Sequence, residues 1–430
     1  VPFCYFLYYL ATNLDDDCTC ITKEACFCLI SRDSLYKIRV QDVDQAQTLI
    51  ELVNIFHLDV WSHPLPERDG YILVDQQDKL FFENELNAAG IGYEIEINNI
   101  KDSIDLEEQL LSKTVGRSNV SSFGGFFEEV RRYDEVDRYL VDLANRYDHV
   151  KVVSGGRSFE GRDIKYLKIS TTNFQDQSKP VVMIESLVHA REWITLPVTL
   201  YAIHKLVEDI TDQDLIRDVD WIILPIANPD GYEYTHTTSR IWRKNRATDY
   251  AGCDGVDLNR NFDASWGTAS SWFTCMDTFH GRSAFSEPET QIIRDILSEH
   301  RHRLGLFLDI HSFGSYILYG YGTGQLPPNG LIIHLVGVNM ANAIDRVKWA
   351  TNPNYLVGNI ASVLYPASGG ASDYAQIVGN SLSYTYELPA YKNQVNTIQG
   401  FLVDPEFIEQ AGYETWEGIK VAVRYVVQNF

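Results

Sequence analysis

The sequence predicts two folded units of different class: a large α/β unit with a mixed, mostly parallel sheet covered by helices, preceded by a small α+β unit. Two observations carry this. From about residue 120 onward, apolar strands alternate with helical segments of about 12 to 20 residues, the pattern of a helix-covered parallel sheet. Residues 34–99 instead run strand, helix, strand, strand, helix, strand, which reads as a small sheet with two helices on one face. A chain of 430 residues with 45% hydrophobic content has room for two or three such domains.

In the small unit, Tyr36-Lys37-Ile38-Arg39-Val40 is strand-like and Asp44 to Phe56 is helical. Leu58 to Trp61 and Tyr71 to Val74 read as strands, and Lys79 to Ala89 as a second helix. Tyr93-Glu94-Ile95-Glu96-Ile97 then alternates with the period of two that a half-buried strand requires. Asp105 to Lys113 is an acidic helical stretch. Lys113-Thr114-Val115-Gly116-Arg117-Ser118-Asn119 is small, polar and basic, a composition that suits an exposed connector open to a protease, with a charged linker helix as the alternative. The expected divisions are 33–100 for the α+β domain, 101–117 for the connecting helix and segment, and 118–430 for the large domain. Residues 1–32 stay unassigned. Val1 to Ala11 is apolar and aromatic without an initiator Met or a basic flank, at best a truncated signal-peptide core, and no apolar run is long enough to span a membrane.

In the large unit, strands are expected at Ile164 to Ile169, Pro180 to Leu187, Trp221 to Ile226, Gly305 to Ile310 and Leu382 to Glu387. Val181 to Ile184 is apolar without alternation, as when both faces of a sheet are covered. Helices are expected at Leu196 to Asp209, Pro288 to His302, Leu331 to Val347 and Phe407 to Val427, with Pro288 placed for a first helical turn. Open sheets of this kind bind ligands beyond the carboxyl ends of their strands. His189, Asn228, His311 and Glu387 all fall at such ends.

The net charge is −23, and residues 1–117, about a quarter of the chain, hold 9 basic and 21 acidic residues, half of the excess. That balance argues against nucleic-acid or anionic-membrane partners, which need a basic face. Of seven cysteines, five crowd the first 28 residues, and Cys253 and Cys275 stand alone later. The later pair invites a disulfide, whose loop would remove about 3 kcal/mol of unfolded-state entropy and suits a secreted protein; two buried thiols are the alternative.

His189-Ala-Arg-Glu192 places an imidazole and a carboxylate on one turn, where they can take two corners of a zinc tetrahedron. The pair alone is common by chance. His311 closes the apolar run Phe307-Leu308-Asp309-Ile310 and can supply a third ligand, although a lone His there is more often a satisfied core residue. Taken with Asp257-Leu-Asn-Arg-Asn261 and the strand-end Glu387-Leu-Pro, the order and spacing resemble metallocarboxypeptidases of the digestive A/B type from about Phe123 to the C-terminus. The first domain and connector resemble the inhibitory pro-segment of that family, particularly of insect digestive procarboxypeptidases.

The resemblance implies a carboxypeptidase-like catalytic domain behind a ferredoxin-like pro-domain, with one Zn²⁺ held by His189, Glu192 and His311 and a fourth position open. It implies Glu387 as general base and acid and Arg243 as the group that stabilises the oxyanion. Asn259 and Arg260 match the pair that binds a terminal carboxylate, a role that fits a planar guanidinium beside an amide. Asp257 matches the carboxylate that orients a ligating histidine. Tyr365 matches the mobile tyrosine that closes over the substrate's last residue, and Arg191 and Phe401 match further substrate contacts. Ser372 stands at the floor of the terminal side-chain pocket, where A-type relatives carry a bulky aliphatic residue and B-type relatives an acid. Without an acid, a buried Lys or Arg side chain would lack a counterion, so aromatic and aliphatic C-terminal residues are expected. Phe313 replaces a frequent tyrosine after His-Ser.

Two other functions stay open: a B-type enzyme for C-terminal Lys and Arg, and a catalytically silent peptide-binding homologue, against which the complete set His189, Glu192, His311, Glu387 and Arg243 argues. The expected partners are peptide and protein C-termini and a trypsin-like protease that cuts after Lys113 or Arg117. The acidic first domain would cover a cleft mouth made basic by Arg191, Arg243 and Arg260. A secreted monomer acting in a digestive lumen, with neither nucleic acid nor membrane as partner, is the expectation. Asn119-Val-Ser121 is a glycosylation sequon.

Overall fold

The computed structural model describes residues 20–22, 25–26, 33–66, 68–114, 125–389, 391–392 and 398–430. Arg117, the sequon at Asn119 and most of the cysteine-rich start lie outside the described residues. Within that start, β1 (Cys20–Thr22) and β2 (Ala25–Cys26) pair antiparallel.

Period-two alternation decides how the first domain is used. Strands β3 (Ser34–Arg39), β4 (Asp59–Ser62), β5 (Gly70–Val74) and β6 (Gly92–Ile97) form an antiparallel sheet in the order β4-β5-β3-β6. Tyr36, Ile38, Ile72 and Val74 pack with Leu49 and Val53 of α1 (Val43–Phe56) and with Phe82 and Leu86 of α2 (Lys79–Ala88). Leu35, Leu73 and Ile97 point the other way and, with Trp61, pack on Ile398, Phe401 and Leu402 of the large domain. Because alternate residues of a strand face opposite sides, one sheet both closes its own core and lids the larger domain. Asp42 caps α1 by accepting the Gln45 N–H at 2.9 Å, and His57 ends it in the left-handed region at φ 52°, which turns the chain into β4.

The connecting helix α3 (Ile100–Thr114) begins five residues earlier than its acidic stretch suggested. It is not a solvated linker. Glu107 is 2% exposed and accepts from Arg240 Nε at 2.7 Å, Arg240 Nη2 at 2.8 Å and Val403 N at 2.6 Å. A buried bidentate pair with an added amide donor leaves neither charge unsatisfied.

The large domain is built on a mixed sheet in the order β13-β12-β14-β11-β9-β10-β8-β7. These are β7 (Val150–Arg157), β8 (Asp163–Ile169), β9 (Val181–Ser186), β10 (Asp220–Leu224), β11 (Leu304–Ser312), β12 (Tyr316–Tyr319), β13 (Leu356–Asn359) and β14 (Leu382–Leu388). The four central strands β14, β11, β9 and β10 are mutually parallel. Val182 and Ile184 of β9 enter one core with Leu200, Trp416 and Ile419; Val181 and Met183 enter the other with Ile293 and Leu297. The unalternating run therefore does what doubly covered strands require. Helices α5 (Thr195–Val207) and α12 (Pro405–Asn429) lie on the first face, α8 (Pro288–His300) and α11 (Ala371–Gly379) on the second. The sequence reading passed over β7, whose Gly155 and Gly156 weaken its pattern, and the four-residue strands β12 and β13. Cys253 and Cys275 form the expected disulfide, with Cα atoms 4.9 Å apart. Among the described residues, no helix is long and apolar enough to cross a membrane.

Candidate metal centre and substrate cleft

Beyond β9 the chain must turn sharply. Leu187 does so at φ 53°, a left-handed conformation that side-chain-bearing residues rarely hold unless their surroundings impose it. Here Leu187 O accepts the Asn228 N–H at 3.0 Å, and Asn228 Nδ2 donates to Val188 O at 3.2 Å and Lys244 O at 3.1 Å. Asn228, though at a strand end, thus braces the turn. The turn delivers His189 and Glu192 into the cleft.

Strand β11 extends past its expected end at Ile310, so His311 is itself a strand residue, with Glu387 of parallel β14 as its register neighbour. Residues in register on adjacent strands share a face, and this alone sets a carboxylate beside an imidazole. Asp309, two residues earlier on the same face, meets His311 Nε2 at 2.7 Å.

Three side chains converge. His189 Nδ1 lies 2.8 Å from Glu192 Oε1 and 3.0 Å from His311 Nδ1, which is 3.0 Å from Glu192 Oε2. Behind them, His189 Nε2 meets Asp257 Oδ1 at 3.0 Å, as His311 Nε2 meets Asp309. A neutral imidazole carries one N–H. With that proton on the far nitrogen of each ring, beside Asp257 for His189 and beside Asp309 for His311, two bare nitrogens and a carboxylate face one another, all buried. Such a cluster calls for a cation, and donors this close can all touch an ion whose bonds are about 2.0–2.1 Å long. Burial works against charge on His311, but Asp309 and Glu192 outweigh it and hold the imidazole well above its ordinary range.

Arg243 and Asp257 form the next layer. Arg243 donates to Asp257 Oδ2 from Nη2 at 2.9 Å and Nε at 3.2 Å, while its carbonyl accepts the Ala190 N–H at 3.0 Å. Asp257 therefore fixes His189 with one oxygen and Arg243 with the other. Burial pushes its carboxyl up, yet Arg243, His189 and Arg260 outweigh that and hold it well below the usual range. Glu387 goes the opposite way: half-buried beneath the first domain, it is raised to about 7 by desolvation, with His311 pulling it down and Glu192 pushing it up.

The cleft encloses about 670 Å³, walled by His189, Arg243, Arg260, Tyr365, Ser372 and Glu387 and roofed by Trp61 and His63 of the first domain. Arg260 donates from Nη2 to Tyr365 Oη at 3.2 Å. Both residues line the cleft, but the Asn259 amide is engaged, with Nδ2 at 2.9 Å from Asp309 Oδ2 and Oδ1 accepting from Ala371 N at 2.8 Å. Ser372 Oγ lies 2.8 Å from Thr385 Oγ1. Arg191 is committed to the first domain: Nη1 donates to Asp59 Oδ2 at 2.7 Å, and the guanidinium stacks 4.3 Å from the Phe401 ring, which also meets Trp61 and Phe313. Sequence reading missed Asp309, Thr385, Asp59 and His63. Only Asp309 left a local signal, its two-residue spacing from His311.

Comparison with known proteins agrees with this geometry. Residues 136–418 match the zinc carboxypeptidase family and residues 36–107 the carboxypeptidase activation peptide. The chain is 44% identical over 407 residues to carboxypeptidase B of Helicoverpa zea, covering 90% of this chain and 92% of that one, and 31% identical over 406 residues to carboxypeptidase A4 of Mus musculus, covering 92% and 93%. The crystal structure of carboxypeptidase A from Helicoverpa armigera superposes with a TM-score of 0.90 at 57% identity, covering 93% of this chain and 99% of that one. The chain thus belongs to the zinc carboxypeptidase family, in the zymogen form that still carries its activation peptide.

Proposed function

We propose that this zymogen gives rise to a secreted, monomeric digestive exopeptidase that removes single residues from peptide and protein C-termini, with a preference for aromatic and aliphatic ones. The observation that carries the reading is one cleft in which three convergent metal ligands, a carboxyl raised to about 7 and a guanidinium lie together. His189, Glu192 and His311 would hold Zn²⁺, which when bound polarises the scissile carbonyl and acidifies water. Glu387 takes the proton from the attacking water and returns it to the departing amine. Arg243, held by Asp257, stabilises the developing oxyanion. Arg260 pairs with the terminal carboxylate and so measures the cut from the end of the chain; Asn259 joins it once its amide swings off Asp309. Tyr365 then covers the last residue, while Arg191 and Phe401, freed of the first domain, contact residues upstream.

Relatives bear both A and B names, so the preference rests on Ser372 and its partner Thr385, which offer hydroxyls where a Lys or Arg side chain would need a carboxylate. The neighbouring Asp373 also lines the cleft; its Oδ2 accepts the Gly322 N–H at 2.7 Å, its Oδ1 has no hydrogen-bond partner among the described residues, and burial raises its carboxyl to about 6. A trypsin-like protease would free the enzyme by cutting after Lys113, exposed in the last turn of α3, or after Arg117. The contact of Asp59 with Arg191 and the placement of Trp61 and His63 over the cleft support an inhibitory first domain. To test this, trypsin-treated and intact protein are offered peptides ending in Phe, Leu, Lys, Arg or Glu, with and without a zinc chelator. Chelator-sensitive release of Phe and Leu, only after trypsin, is expected. Release chiefly of Lys and Arg would overturn the preference, and equal rates before and after trypsin the inhibition.

A further inference from the structure

The first domain brings an imidazole, not a carboxylate, to the carboxylate receptor. His63 follows β4, and its ring centroid lies 4.2 Å from that of Tyr365. Tyr365 Oη in turn occupies Arg260 Nη2 at 3.2 Å. A neutral phenol is a weaker partner for a guanidinium than a carboxylate is, so the contact needs support from outside. The loop bearing His63 is pinned on both banks of the cleft, by Asp59 on Arg191 at 2.7 Å and by Arg68, which donates to Val363 O at 2.8 Å and lies 5.0 Å over the Tyr316 ring. The charged groups around His63 are Arg260, Arg243 and its own loop's Arg68; burial and these cations lower its pKa to about 4, so the ring sits there uncharged.

We infer that His63 wedges Tyr365 onto Arg260, so that in the uncut chain the enzyme's own hydroxyl fills the place of a substrate's terminal carboxylate. The inference rests on Arg260 being the carboxylate receptor. A small carboxylate ligand must displace both rings, and its apparent affinity falls by the fraction of molecules that are open.

The test is calorimetric titration of intact, uncut protein with 3-phenylpropanoate, which has a carboxylate and an aromatic ring but no bond to cleave. His63→Ala should bind about tenfold more tightly than the parent chain, the scale of a lost ring contact, while His63→Phe keeps the stack and the weak affinity. Asp59→Asn removes one of the two pins and should tighten binding by less than His63→Ala does, while His57→Ala, whose ring stacks on Phe273 without touching His63, should leave affinity within about twofold. Equal affinity of parent and His63→Ala, with tight binding after trypsin, overturns the wedge. So does a His57→Ala effect that matches His63→Ala, since that would be undocking. If Arg260→Ala fails to weaken binding to trypsin-treated protein, the receptor assignment is wrong instead.

Discussion

The metal cluster and the proposed carboxylate receptor share one cleft yet are held in different ways. Each imidazole of the cluster meets a carboxylate at its far nitrogen, and two of the four key groups are strand residues in register. The receptor is assembled from a short turn at Leu258–Arg260, the loop bearing Tyr365, and a histidine from another domain. Of the groups that would hold a reacting centre, His311 and Glu387 are fixed to the sheet and His189 and Glu192 to the turn that leaves it. Groups that choose and admit the substrate sit where a proteolytic cut can change them.

The difference predicts a ranking. Glu387→Gln keeps shape and register but loses the proton carrier, so activity of the trypsin-treated enzyme should fall by about 10²–10⁴-fold, with zinc content by atomic absorption unchanged. Loss of zinc in that variant would show that the two roles are not separable. Asp309→Ala and Asp257→Ala remove the braces, and each should weaken zinc retention against a chelator by about 10–100-fold. Retention equal to the parent's would mean the backing carboxylates do not position the ligands.

Changes on the receptor side should redirect more than abolish. Ser372→Asp adds the missing counterion, and the ratio of release rates for C-terminal Arg over Phe should rise by at least about tenfold; an unchanged ratio would place the specificity elsewhere. The smallest effect is pH. In its proposed role Glu387 acts as a base only when deprotonated, and its carboxyl is raised to about 7, so kcat/KM should climb with pH and level off near or below 7, because a bound cation draws the value down. A profile flat from pH 5 to 8 would remove Glu387 from the rate-determining proton transfer.

Legibility followed the range of the interactions. Both domain classes were readable from periodicity, because alternation in β6 and its absence in β9 report which faces are covered. His189 and Glu192 were readable because three residues on a turn suffice to pair them, and Asp309 could have been, by its strand spacing from His311. Glu107 was not: an acid on a polar helix looks solvated, and only packing shows Arg240, 133 residues away, enclosing it. Asp59 and Arg191, 132 residues apart, are the same case.

The sequence by itself carried the fold classes, which rest on local period, and through its resemblance to a known family it nominated the ligand set and the base. Tertiary structure decided that the Asn259 amide meets Asp309, that Ser372 meets Thr385, and that His63 reaches Tyr365. Those are side-chain directions and long-range encounters, which depend on how two domains pack and leave no periodic trace in either one's residues.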